Sequence, residues 1–234
     1  MNHNLQLQAN PAQFSGRLLL YPVAAPAIFP HASQLLHLRA SDAGELITES
    51  IRRNNLIAVP LLQAGWEPLT NSSQAPVHAV GCLCTVALHD QLPDGHCTVL
   101  LRGLSRIRID SEYESPLPFR EAQCESLPDR YPQTTVIDRS HRRAELIDLV
   151  HQLHREIPYA PDVTRYLETE LSLGALCDIL AHSLQLPAEP AAELLQTVDV
   201  DQRSDLILGE LRRQVRLSLD GALSRAPRLD FSLN

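Results

Sequence analysis

No lysine occurs anywhere in this 234-residue chain, so all 20 of its permanently cationic side chains are arginine. That absence excludes a Walker A phosphate site, a Ser-Lys protease dyad and any lysine Schiff base, because each needs a primary amine that a guanidinium cannot replace. Basic runs are missing too, and a net charge of −8 argues against a nucleic-acid backbone as the main partner. No apolar stretch approaches the roughly 20 residues of a membrane-spanning helix. The polar leader MNHNLQLQANPAQFSGR has neither a basic n-region nor an apolar h-region, so the expected location is the cytoplasm. Aromatic residues are scarce at 4%, and Trp66 is the sole tryptophan. What remains, 44% hydrophobic and 21% charged, describes a soluble globular chain long enough for two modest domains.

Between Val80 and Ile109 two β-rich runs flank Asp94-Gly95, and an Asp-Gly pair is a strong hairpin signal. A two-residue loop pairs Leu88 with Leu101, Val86 with Gly103 and Cys82 with Ile107. Opposed residues share a face, so this register gathers Val80, Cys82, Cys84, Val86 and Leu88 beside Val99, Leu101, Ile107 and Ile109. It leaves Arg102, Arg106 and Arg108 on a solvated outer face. Gly103, inside the second strand, implies a bulge or a close backbone approach. Cysteines number five, an odd count that favours reduced thiols. Cys82 and Cys84 look like half a metal site, but the register places Cys97 about 26 Å along the ladder from Cys84, at ~3.3 Å per residue. The cysteines therefore read as buried small hydrophobes, and neither a metal nor a disulfide is expected.

Upstream, Leu18 to Leu20 reads as a first strand, followed by an irregular segment holding Ile28-Phe29 between Pro26 and Pro30. Leu35 to Arg39 is a second strand, Ser41-Asp42 offers the cap of a short helix carrying Leu46, Ile47 and Ile51, and Leu56 to Leu62 is a central strand. Gln63 to Val77 is a long loop containing Trp66. Arg120 to Leu127 closes the β-rich part. From Val136 the period becomes helical: Leu146, Val150, Leu153 and Ile157 up to Pro158, a short helix around Tyr166 and Leu171, one capped by Ser172 through Leu184, one from Pro190 to Val198, and a last one from Asp201. The expected organisation is a β-rich domain over 1–127, a proline-bearing linker over 128–135, a helical bundle over 136–225 and a frayed tail over 226–234.

The stretches LLLYPVAAPAIFP at 18–30, LIAVPLLQAGWE at 56–67, VGCLCTVALHDQLPDGHCTVLLRGLSRIRI at 80–109 and LLQTVDVDQRSDLILGEL at 194–211 resemble the N-terminal substrate-recognition region of the Lon protease family, in the family's order. The resemblance implies an α+β fold, a PUA-like β pseudo-barrel followed by an α-helical bundle, and a role in polypeptide binding and protein quality control. It also implies a standalone member, because the chain ends before an ATPase or Ser-Lys protease module could fit. Two departures stand out. His31 replaces a usual glycine, and His37-Leu38-Arg39 replaces a segment that usually bears Phe and Glu.

Candidate chemistry is thin. Gly103-Leu-Ser105 lacks the second glycine of a nucleophile elbow. His151 and His154, with Asp148 and Glu156 near, read as a solvated helix face because no Glu-x-x-His partner lies on a second helix. Ile28, Phe29 and Trp66 are large apolar side chains on irregular segments, and they are the candidate polypeptide-binding residues. The expected function is a non-catalytic binder of unfolded or apolar-rich polypeptides, needing no cofactor and able to work with a separate ATPase or protease. The alternatives are a small-ligand binder or enzyme on the same fold, and RNA binding by analogy with other PUA-like domains, which the acidic balance disfavours.

Overall fold

The computed structural model describes residues 15–39, 44–66, 75–92, 95–114, 118–133, 137–153 and 171–219. The expected cap at Ser41-Asp42, the short helix around Tyr166 and the 226–234 tail lie outside these residues. Six strands come first: β1 Ser15–Leu20, β2 Ser33–Arg39, β3 Leu56–Leu62, β4 Val77–Gln91, β5 His96–Tyr113 and β6 Glu121–Ser126, with helix α1, Glu45–Arg53, between β2 and β3. Then come helices α2 Arg139–Leu153, α3 Leu173–Ser183, α4 Ala188–Gln196 and α5 Val200–Leu219. Strand order is β2-β5-β4-β3-β1-β6, and β6 also pairs with β5, so five strands close a barrel and β2 sits outside the ring. Only the β1–β3 pair is parallel among the described strands.

The hairpin forms, but in a different register. Leu92 N donates to His96 O at 2.8 Å, and Leu88 faces Leu100 while Val86 faces Leu101. Proline chemistry explains the shift: a two-residue loop would make residue 93 exchange hydrogen bonds with His96, and Pro93 has no N–H to give. The closing pair therefore moves out to Leu92, and Gly95, at φ 82°, takes the left-handed position that a longer loop needs.

Two irregularities then sort the side chains. Val86 faces Leu101 but Leu88 faces Leu100, which leaves Ala87 as an extra residue on β4 and puts Leu88 on the opposite face from Val86. Between Leu83 and Cys84 the partner jumps from Ser105 to Gly103, which leaves Leu104 as an extra residue on β5. Residues beyond it change face. Val99 and Leu101 pack with Cys82, Cys84 and Ile57 under α1. Ile107 instead joins Leu18, Leu20, Ala58, Leu83 and Ala122, drawn from all five ring strands, inside the barrel. Gly103 marks the switch: a Cβ there would collide with the Phe29 carbonyl and come within 3.0 Å of Cys82 Sγ. Its backbone is pinned by Gly103 N to Ala32 O at 2.8 Å and His31 N to Gly103 O at 3.0 Å. His31 holds φ 63°, a left-handed conformation.

Strands give way to helices between Ser126 and Arg139. The described part of that passage is bonded on both sides: Leu127 N to Arg106 O at 2.9 Å, Arg130 N to Val198 O at 2.9 Å and Val200 N to Arg130 O at 3.0 Å. The two halves also share one core, in which Phe29, Leu61 and Val80 pack with Leu176, Leu180, Leu195 and Leu208. On the helical side, Leu146, Val150 and Leu153 are buried, and Ser172 Oγ accepts from Ala175 N at 3.2 Å as the cap of α3.

Arg106 is not on a solvated face. The Leu104 bulge turns it toward the helices, where it is 2% exposed and bidentate to Asp178 of α3 at 2.8 and 2.6 Å. Its Nε donates to Leu195 O at 3.0 Å, at the end of α4. Arg203 of α5, fully buried, reaches Asp129 at 2.6 Å and Asp178 at 3.4 Å. Gly174 makes room, since a Cβ there would meet the Asp129 carboxylate and sit 2.9 Å from Arg203 Nη2. Burial alone would lower the Arg106 pKa, but the facing Asp178 carboxylate more than offsets it and holds the guanidinium above its ordinary value.

Removing one partner of such a cluster strands the other charges away from water. Arg106→Ala is expected to cost about 3–5 kcal/mol in chemical denaturation. Arg108→Ala, whose partners Asp110 and Glu125 lie at the surface, is expected to cost no more than about 1 kcal/mol. Equal losses from the two would show that the Arg106 cluster does not join the halves.

Candidate functional site

Half of the long hairpin runs past the ring. There β2 lies along His96–Arg102 of β5, and Leu88–Gln91 of β4 along the other side of Cys97–Leu100. One face of this three-stranded strip, with Leu36, Leu38, Cys97, Val99 and Val86, covers the core beneath α1. The opposite face shows solvent a row of leucines, because Leu35 stands opposite Leu100 and Leu100 opposite Leu88. Leu35 is 40% exposed, Leu88 50% exposed and Leu100 half-buried. The next row is polar, His37–Thr98–Asp90, with Thr98 Oγ1 3.3 Å from His37 Nδ1. Among the described residues β2 has no strand on its other side, so its outer edge of N–H and C=O groups is open.

Of the three residues expected to bind polypeptide, only Trp66 lies at a surface. It is 37% exposed, on a turn in which Trp66 N donates to Gln63 O at 3.2 Å and Gly65 holds φ 87°. Ile28 and Phe29 are 2% and 1% exposed. Neighbouring residues on an extended segment point opposite ways, so Ile28 enters the core under α1 and Phe29 the core shared with the helices. Both are structural and form no exposed patch with Trp66. Leu35, Leu88 and Leu100 were not singled out by the sequence reading. The two-residue loop and strict alternation with Val86 placed Leu88 inward; Pro93 signals the changed pairing, and the Ala87 bulge turns Leu88 to the face opposite Val86.

The other candidates separate similarly. Ser105 lies within β5, opposite Leu83. His151 and Asp148 are exposed on α2, where Asp148 accepts from Gln152 at 2.7 Å, while His154 and Glu156 lie outside the described residues. Among the described residues no cluster of three His, Cys, Asp or Glu side chains can hold a metal ion. An open depression of about 580 Å³ at the α4–α5 corner is lined by Arg130, Glu193, Thr197 and Asp199. Arg130 there stands 3.5 Å from Asp199, and the depression encloses nothing from water, unlike a catalytic pocket. No described helix is long and apolar enough to cross a membrane.

All five thiols are buried. Cys97 pairs with Gln91, seven residues along β4 from Cys84 or about 23 Å, so it cannot share a metal with that thiol. Burial pushes the Cys124 and Cys177 thiols up to about 12 and raises Cys84 and Cys97 as well.

Comparisons with known proteins agree with this architecture. A family model described as the ATP-dependent protease La (LON) substrate-binding domain matches residues 17–213. Lon protease 2 of Bdellovibrio bacteriovorus is 23% identical over 195 residues, which cover 81% of this chain and 24% of that protein. The Lon protease of Desulfovibrio desulfuricans is 27% identical over 142 residues, covering 61% of this chain and 16% of its own length. The chain thus spans about a quarter or less of these relatives. Among solved structures, the N-terminal domain of Mycobacterium avium complex Lon protease aligns with a TM-score of 0.66 at 16% identity, covering 84% of this chain and 98% of that one. A Lon N-terminal domain protein from Xanthomonas campestris aligns at 0.59 and 19% identity, covering 83% and 98%.

A thiol needs both exposure and its thiolate to react. Iodoacetamide at pH 8 is expected to leave all five cysteines unmodified in the folded chain and to alkylate all five in denaturant, read by mass spectrometry. Modification of Cys84 or Cys124 in the folded state would contradict the packing described.

Proposed function

This chain belongs to the family of Lon protease substrate-binding domains, and on that premise we propose that it is a non-catalytic module that binds unfolded or apolar-rich polypeptides. In this reading it works beside a separate ATPase or protease, as part of protein quality control in the cytoplasm. The observation that carries the reading is the exposed leucine row Leu35–Leu100–Leu88 beside the open edge of β2. Adjacent exposed leucines on a rigid strip accept apolar side chains without demanding one sequence, and a free strand edge bonds any backbone. Trp66, exposed on a tight turn, offers a second apolar contact. The family match covers a substrate-binding domain and no ATPase or protease segment, and the absence of lysine removes the residue both chemistries need.

Three substitutions separate binding from stability. Leu88→Ser and Trp66→Ala are each expected to weaken binding of a fluorescent denatured protein by about 1–3 kcal/mol with little change in denaturation midpoint. Phe29→Ala is expected to do the reverse, costing about 3–5 kcal/mol of stability while its folded fraction binds normally. If both surface variants bind as the parent does, the leucine row and Trp66 are not the site. The purified chain is also expected to hydrolyse no ATP and to cleave no casein. Turnover above a mock-purified control, abolished by a point substitution, would overturn the non-catalytic reading.

A further inference from the structure

Cations bracket the leucine row. The unbroken β2–β5 register sets Arg102 opposite Ser33 at one end and Arg39 opposite His96 at the other, on the face that carries Leu35 and Leu100. Both arginines are exposed. Among the described residues neither has a carboxylate within ion-pair distance, whereas Arg53, Arg108, Arg120 and Arg139 all do. Asp90, opposite Thr98, is the one described acid on these rows. A chain of net charge −8 thus leaves two guanidinium groups unneutralised at the two ends of one apolar row.

We infer that this face selects extended polypeptide segments in which aliphatic residues are flanked by acidic ones, added as a further strand along β2. The inference rests on the polypeptide-binding reading above and names the class of segment bound. Side chains of an added strand alternate, so every second residue falls on the leucine face. The Ser33 and Arg39 rows are six residues apart, about 20 Å at ~3.3 Å per residue. Carboxylates six residues apart therefore reach both cations while the residues between them cover Leu35. At the Arg102 end the small Ser33 leaves the long guanidinium side chain room to extend across β2 toward the new strand. A purely apolar segment leaves both cations unpaired, and a basic one meets like charge, so the strip distinguishes among segments that the leucines alone would accept equally.

The test uses the full chain and fluorescein-labelled peptides that alternate valine and threonine, with a glutamate at each end of a seven-residue core matched to β2. Companion peptides carry glutamine or lysine at the ends, and two further peptides have alternate amides N-methylated in one phase or the other. Anisotropy is expected to show the glutamate peptide binding about fivefold tighter than the glutamine peptide, as two partly exposed ion pairs give. That preference is expected to vanish near 1 M salt, to be lost in Arg39→Gln/Arg102→Gln and to invert toward lysine in Arg39→Glu/Arg102→Glu. One methylation phase is expected to bind and the other to fail. Equal binding of glutamate and glutamine peptides overturns the acidic preference, and equal binding of both methylated phases overturns strand addition. If a denatured protein still binds in either case, only this inference fails. If the parent chain binds no denatured protein at all, the polypeptide-binding reading fails with it.

Discussion

A guanidinium taken out of water at the seam between barrel and helices decides how the two halves fit. Arg106 leaves β5, Asp178 comes from α3, Arg203 from α5 and Asp129 from the strand-to-helix passage, so four parts of the chain must arrive together. The cluster gains little net stability over apolar packing, because desolvating the charges costs about as much as their attraction returns. Its effect is directional. An apolar seam tolerates sliding, while a bidentate fork that also donates to the Leu195 carbonyl accepts one docking angle. Gly103 and the Leu104 bulge serve the same end, since without the change of face Arg106 would point into the barrel.

The arginine-only composition fits this design. Planar forks recur where the chain must hold two elements in one geometry: Arg139 to both oxygens of Asp201 at 2.8 Å, and Arg120 between Glu112 and the Ala75 carbonyl. Arg17 and Arg53 both reach the buried Glu121, and Arg17 also lies over the Tyr113 ring at 4.4 Å. A lysine ammonium makes such contacts singly, without the fork's fixed directions.

Much of the architecture was legible because it follows from local pattern. Alternation in the strands, the period change before α2, the Ser172 cap and the meaning of Gly103 all rest on neighbours a few residues away. What escaped depends on residues far apart in sequence. Asp178 is the one acid in the apolar run of α3, and Arg203 sits in a polar stretch of α5; each looks ordinary until its partner, 72 residues from Asp178 in the case of Arg106, is placed beside it. The leucine row was hidden by a local error with long reach. Reading Asp94-Gly95 without Pro93 shifted the pairing by one residue and, with the Ala87 bulge unseen, strict alternation kept Leu88 on the inner face beside Val86. Ile28 and Phe29 were ambiguous for a different reason: an irregular segment has no period, so only the surrounding fold says which way each residue points.

Barrel closure also imposes an order on synthesis. Ser15, at the start of β1, pairs with Glu125 in β6, so the first strand has no antiparallel neighbour until nearly the whole β-rich part has been made. β4 and β5, adjacent in sequence, can pair long before. Arg106 then waits longer still, because its carboxylate lies 72 residues further along the chain. At a ribosomal pace of about 5–20 residues per second, that is a wait of roughly 4–14 s. For that interval the nascent barrel carries a cation that lacks its bidentate partner, with only the more distant Asp129 made sooner, on the apolar face later covered by α3, so it is poorly suited to associate with another unfinished copy before its own helices arrive.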